Sequence, residues 1–277
     1  MIQAFRNFMT RRTISAKARN KVMNSFSNYK IFSDIRVNSE TLRQKEQRPH
    51  EVLYFHKVDD PYSHLTVQCI AKFQSSFDII LKPILVGEEN LDAIHEPSLY
   101  NIYCLRDVQR IAPFYGVNFN AHEYPEKKLI DKANSILSSV KEEDFAKIAS
   151  SVSAALWEDD ADALDELSSS FFSTKKQVRE KLIQGNEIRD AKGYYFGSAF
   201  YYEKELYWGV DRLPHLEERL SDLGAKKSKE CQKICPLELQ APDQLTSDTK
   251  INLYYYPSLN SPYTFVSTKR VRQIRED

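Results

Sequence analysis

A short polar segment between two apolar runs carries the residues best placed for chemistry. Residues 52–65 read VLYFHKVDDPYSHL, in which an aromatic run leads into Asp60, Pro61 and Tyr62. Proline suits the first turn of a helix because its missing N–H would have no partner there, and aspartate is a preferred helix N-cap. The N–H groups at such a helix start also stabilise a bound thiolate or carboxylate. Asp60 is therefore either a cap or a general base acting on another group.

Two histidines flank this segment. His56 and His64 lie on either side of Asp60, so a His–Asp pair could transfer protons near neutral pH. The alternative, which we favour, is that both are partly buried polar residues with local partners. His64 is the candidate catalytic residue of the pair.

A second copy of the segment lies near the end of the sequence. Residues 253–266 read LYYYPSLNSPYTFV, again an aromatic run followed by Pro-Tyr and a hydroxyl residue. Ser261 stands here where Asp60 stands in the first copy, so Ser261 is a further candidate catalytic residue. Each copy predicts a strand that leads into a helix. We expect residues 251–277 to be the start of a second, truncated unit that does not fold alone.

Composition excludes several classes of function. The 39 basic and 39 acidic residues balance, which removes the electrostatic case for nucleic-acid binding. No apolar run reaches the roughly 18 residues of a membrane-spanning helix, and no Gly-rich phosphate loop is present. The four cysteines form no CxxC pair. We expect reduced thiols in a cytoplasmic protein, and no metal site.

The first 33 residues contain several basic residues and no acidic one. They lack the apolar core of a secretory signal. This pattern favours a basic helical extension over residues 1–49. An organellar transit peptide, and hence a location in an organellar matrix, is the alternative.

The pattern after residue 50 predicts the elements that position the first segment. A strand at Val52–Phe55, a helix from Pro61 to about residue 77 and a strand over 78–86 form a βαβ unit with parallel strands. Helical periodicity then continues from about residue 98 to 190, which predicts an inserted helical bundle.

Strand character returns after the insert. Ala199–Tyr202 and Leu206–Trp208 predict an antiparallel hairpin, and leucines at helical spacing predict a final helix with Asp211 as its N-cap. The polar residues 225–250 predict a linker. The order β-α-β, helical insert, β-β-α predicts an α/β protein with a thioredoxin-like fold over residues 50–224.

Four short motifs occur in a fixed order along this domain. They are DPYSHL at 60–65, the segment from Arg106-Asp107 to Phe119, Ala155-Leu156-Trp157 with Asp160, and WGVDRL at 208–213. Together they resemble the DsbA-like branch of the thioredoxin superfamily that contains 2-hydroxychromene-2-carboxylate isomerases and kappa-class glutathione transferases.

This resemblance implies a glutathione site at the start of the first helix of the domain. Pro61, Tyr62 and Ser198 would lie near the thiol, and the γ-glutamyl end would lie near Asp211 and Arg212. The implied activity is isomerisation or transfer on a small molecule such as an aromatic acid, with glutathione as cofactor. A homodimer is the expected assembly.

Two positions depart from the pattern of this branch. Asp60 stands where the branch has a serine that hydrogen-bonds the glutathione thiolate, and a carboxylate beside a thiol raises the thiol pKa. Ser198 stands where thioredoxin folds carry a cis-proline, and a cis bond before another residue costs about 2.5–4 kcal/mol, so we expect a trans bond. Two alternatives therefore stay open. One is a non-catalytic binding domain, and the other is a thiol–disulfide oxidoreductase, which the missing CxxC disfavours.

Overall fold

The computed structural model describes single positions 18, 21 and 94 and the ranges 28–88, 96–228, 233–236, 252–258 and 262–276. These residues belong to two compact units. Residues 46–240 form the larger unit, and residues 1–45 together with 241–277 form the smaller one. The larger unit contains the segment around Asp60.

The smaller unit contains the helices α1 (Tyr29–Lys45) and, near the end of the chain, Pro262–Glu276. The second helix begins at the proline that the repeated segment predicts as a helix start. Residues 252–258, predicted as a strand, adopt none, because a strand requires a hydrogen-bonded neighbour that a local pattern does not supply. Ser261 lies outside the described residues, as does most of the predicted basic extension before residue 28.

The larger unit follows the predicted order of elements. They are β1 (Glu51–His56), α2 (Pro61–Ser76), β2 (Ile80–Leu85), α3 (Pro97–Ile111), α4 (Lys127–Ser139), α5 (Glu142–Trp157), α6 (Ala161–Ser170), α7 (Lys175–Ala191), β3 (Ala199–Tyr202), β4 (Glu205–Trp208) and α8 (Gly209–Asp222). The helix of the smaller unit at 262–276 is α9. A 3-10 turn at Ala112–Tyr115 extends α3. The predicted insert between β2 and β3 is thus a set of helices.

The four strands of the larger unit form one mixed sheet in the order β2-β1-β3-β4. β1 and β2 are parallel, whereas β3 is antiparallel to both β1 and β4. Glu203 and Lys204 form the turn between β3 and β4, and both have positive φ angles, as a tight hairpin turn requires. A βαβ half and a ββα half that share this strand order define a thioredoxin-like fold, so the predicted fold is confirmed.

Helix α2 packs its length against the sheet and the insert. Its side chains Leu65, Ile70 and Phe73 are fully buried. The ring centroids of Phe73 and of Phe200 in β3 lie 5.5 Å apart. Burying a side chain of this size contributes about 1.5–3 kcal/mol. This packing holds the first turn of α2 at the end of the sheet where the parallel strands β1 and β2 terminate.

Helix α7 approaches the backbone of β2 at a glycine. A Cβ atom on Gly185 would lie 1.8 Å from the carbonyl oxygen of Leu85. Any larger residue would therefore push α7 away from the sheet. One residue later, the Asn186 side chain accepts a hydrogen bond of 2.9 Å from the N–H of Gly87, which holds the loop after β2 against the insert.

Candidate functional site

The first turn of α2 is closed by its own N-cap. The Asp60 carboxylate accepts hydrogen bonds from the backbone N–H of Tyr62 at 3.2 Å and of Ser63 at 3.0 Å. It also accepts one from the Ser63 hydroxyl at 2.7 Å. Asp60 and Ser63 are both buried. The N–H groups that would hold a bound anion at this helix start are therefore occupied by a carboxylate of the chain itself.

The loop before β3 covers this helix start, at the place where the resemblance puts Ser198. A Cβ atom on Gly197 would lie 3.0 Å from both Asp60 Oδ2 and Ser63 Oγ. Ser198 is fully buried, with trans peptide bonds and a left-handed φ of 55°. Its hydroxyl lies 2.7 Å from that of Thr66, and its carbonyl accepts from the N–H of Gly209. The polar groups of Ser198 thus serve the fold of the domain.

The two flanking histidines face other partners. His64 Nδ1 lies 2.8 Å from the Ser153 hydroxyl and His64 Nε2 lies 3.1 Å from the carbonyl of Asn118. His56 Nδ1 lies 3.1 Å from the Tyr54 hydroxyl, while His56 Nε2 is buried without a hydrogen-bond partner. These contacts account for both nitrogens of His64 and for Nδ1 of His56 without Asp60. The structure thus shows the buried arrangement with local partners.

Burial sets the protonation of both rings. It lowers the pKa of His56 to about 3 and the pKa of His64 to about 4, because a charged imidazolium is poorly solvated in the core. Both side chains are therefore neutral at pH 7. His64 also packs against the rings of Phe119 and Trp157. Through these contacts His64 packs α2 against the insert, and its side chain is buried in the domain.

Tyr62 lines a small cavity. Its hydroxyl donates a 2.7 Å hydrogen bond to Asp107 of α3, and its ring lies 4.9 Å from that of Trp208. Burial, followed by the bond to Asp107, raises the pKa of Tyr62. The cavity has a volume of about 260 Å³. Its lining residues are Tyr62, Leu65, Asp107, Ile111, Tyr115, Trp208, Gly209, Val210 and Asp211.

The start of α8 differs from the prediction by three residues. The helix begins at Gly209 with Trp208 as the N-cap, so Asp211 lies in the first turn and is not the cap. Gly209 has a left-handed φ of 71°, which lets the chain turn directly from β4 into the helix. Asp211 pairs with Arg212 at 3.2 Å. Burial raises the pKa of Asp211, and Arg212 opposes that shift.

A larger cavity of about 950 Å³ lies where the loops after β1 and β2 meet the insert helices α4 and α7. Its wall combines apolar side chains with basic and amide groups. The apolar members are Ile130, Phe172, Val178, Leu182 and Ile183, and the basic and amide members are Lys57, Lys127, Lys175, Arg179, Asn134 and Asn186. Acidic residues also line it, and two of these pair with lysines: Lys57 with Asp59 at 3.0 Å, and Lys127 with Asp131 at 2.7 Å.

The sequence did not indicate either cavity. Tyr62 and Asp107 are far apart in the chain, and no local pattern predicts that α3 brings a carboxylate to the start of α2. The i, i+4 spacing of Lys175 and Arg179 predicts that they share one face of α7, but it does not predict what that face lines. Pro61 and Tyr62 are both buried in the first turn of α2.

Two other kinds of feature are absent from the described residues. No group of three His, Cys, Asp or Glu residues there has a geometry that could hold a metal ion. No helix in that part of the chain is long and apolar enough to span a bilayer.

A solved structure of another protein is similar to part of this chain. No protein-family model matches the chain, and no curated protein matches it. The structure of the selenomethionine form of 2-hydroxychromene-2-carboxylate isomerase is similar, with 18% sequence identity and a TM-score of 0.47. The match covers 63% of this chain and 96% of the isomerase chain. The fold assignment itself rests on the strand order and connections described above.

Proposed function

We propose that the domain over residues 50–224 is a DsbA-like domain of the isomerase and kappa-class transferase branch that binds a small amphipathic acid without activating a thiol at α2. The position of the Asp60 carboxylate carries this proposal. It fills the anion-binding position at the helix start and lies beneath Gly197. A thiolate placed beside it would meet a like charge, which raises the thiol pKa.

The larger cavity supports a small amphipathic acid as the ligand. Its volume of about 950 Å³ falls within the range of about 300–1,000 Å³ that small-molecule sites occupy. Lys175 and Arg179 reach it from adjacent turns of α7, next to the apolar side chains of Leu182 and Ile183. Cationic groups beside an apolar wall suit a ligand with a carboxylate and a hydrophobic ring, such as an aromatic acid.

Titration calorimetry with aromatic acids tests this ligand. We expect salicylate or 2-hydroxychromene-2-carboxylate to bind, and the neutral salicylamide to bind at least tenfold more weakly. Lys175→Ala combined with Arg179→Ala should abolish binding. Lys176→Ala is the matched control, because Lys176 is the next residue of α7 and does not line the cavity. Equal binding of the acid and the amide, or equal loss in the control, would contradict the proposed ligand.

Titration with glutathione tests the closed helix start. We expect no ultraviolet thiolate band from glutathione at millimolar concentration with the wild-type protein. Asp60→Ser restores the serine of the branch and removes the carboxylate charge from the helix start, so a thiolate band is expected to appear in that variant. A thiolate band with the wild-type protein would refute the closed-site proposal and leave the aromatic-acid site untouched.

A glutathione-dependent isomerase or transferase is the second candidate function. The observation that favours it is the cavity of about 260 Å³ where Asp211 at the start of α8 comes next to Tyr62 at the start of α2. A carboxylate at that place could bind the amino group of a γ-glutamyl moiety. Calorimetry with glutathione should then show binding that Asp211→Ala removes and that the exposed-site control Glu218→Ala retains. No heat of binding at millimolar glutathione would exclude this candidate.

A further inference from the structure

Two buried cysteines from distant parts of the sequence meet beside α2. Cys69 lies in the third turn of α2, and Cys235 lies in a short segment at 233–236 that follows α8. Both side chains are buried in the same core cluster, and each thiol shifts the pKa of the other. Cys235 Sγ also lies 3.3 Å from the carbonyl oxygen of Tyr115, to which its S–H can donate. Both are free thiols in this structure.

The segment at 233–236 is docked on the domain by polar contacts. Lys72 of α2 donates from Nζ to the carbonyl oxygen of Lys233 at 3.1 Å. The N–H of Ile234 donates to the buried carboxylate of Glu217 in α8 at 3.2 Å. Ile234 is itself part of the core. These contacts hold Cys235 against α2, although the polar sequence at 225–250 predicts a linker there.

From this geometry we infer that Cys69 and Cys235 form an oxidation site, at which a hydroperoxide converts the two thiols into an intramolecular disulfide. Two cysteines can be bridged without large backbone movement only when they already lie side by side. Lys72, three residues after Cys69 in α2, donates to the carbonyl oxygen of Ile234, the residue before Cys235, at 3.5 Å. The inference uses neither the aromatic-acid cavity nor the closed start of α2, so it stands independently of the proposed function.

The chemistry balances in two steps. The sulfur of Cys69 attacks one oxygen of the peroxide, the O–O bond breaks, and Cys69 becomes a sulfenic acid as water leaves. The sulfur of Cys235 then attacks the Cys69 sulfur, the S–O bond breaks, and a second water leaves with the remaining proton. In total, two thiols lose two electrons and two protons to one hydrogen peroxide, giving one disulfide and two waters.

The surroundings favour Cys69 as the sulfur that reacts first. The interaction with the Cys235 thiol and the nearby Lys72 ammonium lower the pKa of Cys69, against the effect of burial. The interaction with Cys69, together with burial, raises the pKa of Cys235. Cys69 therefore supplies the thiolate, and Cys235 remains a thiol until the sulfenic acid forms.

Peptide mapping of the oxidised full-length protein tests the inference. The folded protein would be treated with a small excess of hydrogen peroxide, blocked with N-ethylmaleimide and digested with trypsin without reductant. Trypsin places Cys69 in peptide 58–72, Cys235 in peptide 234–250 and Cys231 in peptide 230–233, so each pairing gives a different mass. We expect peptides 58–72 and 234–250 to be joined, and dithiothreitol to separate them.

Matched variants and a stability measurement complete the test. Cys231→Ser should retain the crosslink, whereas Cys235→Ser should lose it. A disulfide that closes so long a loop should raise the Tm of the oxidised wild-type protein by several degrees, and reduction should reverse the shift. The inference is overturned if wild-type Cys69 pairs with Cys231, or if folded wild-type protein gives a sulfinic acid at Cys69 and no crosslink. These two results come from the wild-type chain and do not depend on whether a variant folds.

Discussion

Replacing Asp60 by alanine should destabilise the protein by about 2–4 kcal/mol. Loss of an N-cap side chain costs about 1–2 kcal/mol, and Asp60 caps two N–H groups of α2. The change also removes the acceptor of the buried Ser63 hydroxyl. A buried donor left without a partner costs a further 1–3 kcal/mol or so. The two contributions overlap in part, because the same cap side chain provides both.

Asp160 offers a matched control for this substitution. It is the N-cap of α6, where its carboxylate accepts one hydrogen bond, from the N–H of Ala163 at 2.9 Å, and it is exposed to solvent. Asp160→Ala should therefore cost only about 1 kcal/mol. Urea denaturation at pH 7, analysed with equal m-values, measures both free energies of unfolding. If Asp60→Ala costs no more than Asp160→Ala, Asp60 is not the buried cap described above.

Two further predictions concern histidine protonation and the contact between α7 and the sheet. Because burial lowers the folded pKa of His64 to about 4, the unfolded chain binds a proton first as pH falls below about 6.5, and stability should fall by up to roughly 1.4 kcal/mol per pH unit down to about pH 4. Urea titrations at several pH values should show that the free energy of unfolding falls less steeply with decreasing pH for His64→Gln than for the exposed-site control His122→Gln. Equal pH dependence in the two variants would contradict the assigned burial of His64. Gly185→Ala should lower stability by about 1–3 kcal/mol or more, because its Cβ would collide with the Leu85 carbonyl. Gly87→Ala, which meets only ordinary contacts at 3.5 Å or more, should be nearly neutral when both variants are unfolded in urea at pH 7. A Gly185→Ala protein as stable as wild type would refute the close approach.

The closed start of α2 changes how the repeated segment of the sequence is understood. A thioredoxin-like helix start normally presents its N–H groups to a thiolate or a ligand. Here Asp60 satisfies them from within the chain. The same carboxylate is thus the reason that the helix is well capped and the reason that we place ligand binding in the larger cavity.

Local patterns were sufficient for the elements of this protein. Proline at position 61 with aspartate before it predicted the start of α2, since both preferences act within one turn of helix. Apolar periodicity predicted helices from about residue 98 to 190, and the insert helices α3 to α7 begin at Pro97 and end at Ala191. Alternation and turn residues predicted the hairpin of β3 and β4. These signals are short in range, so the order of a thioredoxin-like fold could be read from the sequence.

Contacts between distant segments required the tertiary structure. Only the packing of α2 against α5 shows that His64 bonds to Ser153 and leaves Asp60 to cap its own helix. Only the docking of residues 233–236 on Lys72 and Glu217 brings Cys235 beside α2, where Cys69 lies. The sequence by itself determined that a helix begins at residue 61 with Asp60 before it. The tertiary structure decided that this carboxylate bonds its own backbone beneath Gly197, which lies more than a hundred residues away in the sequence. The burial of Asp60 and the groups around it are set by segments that only the fold brings together.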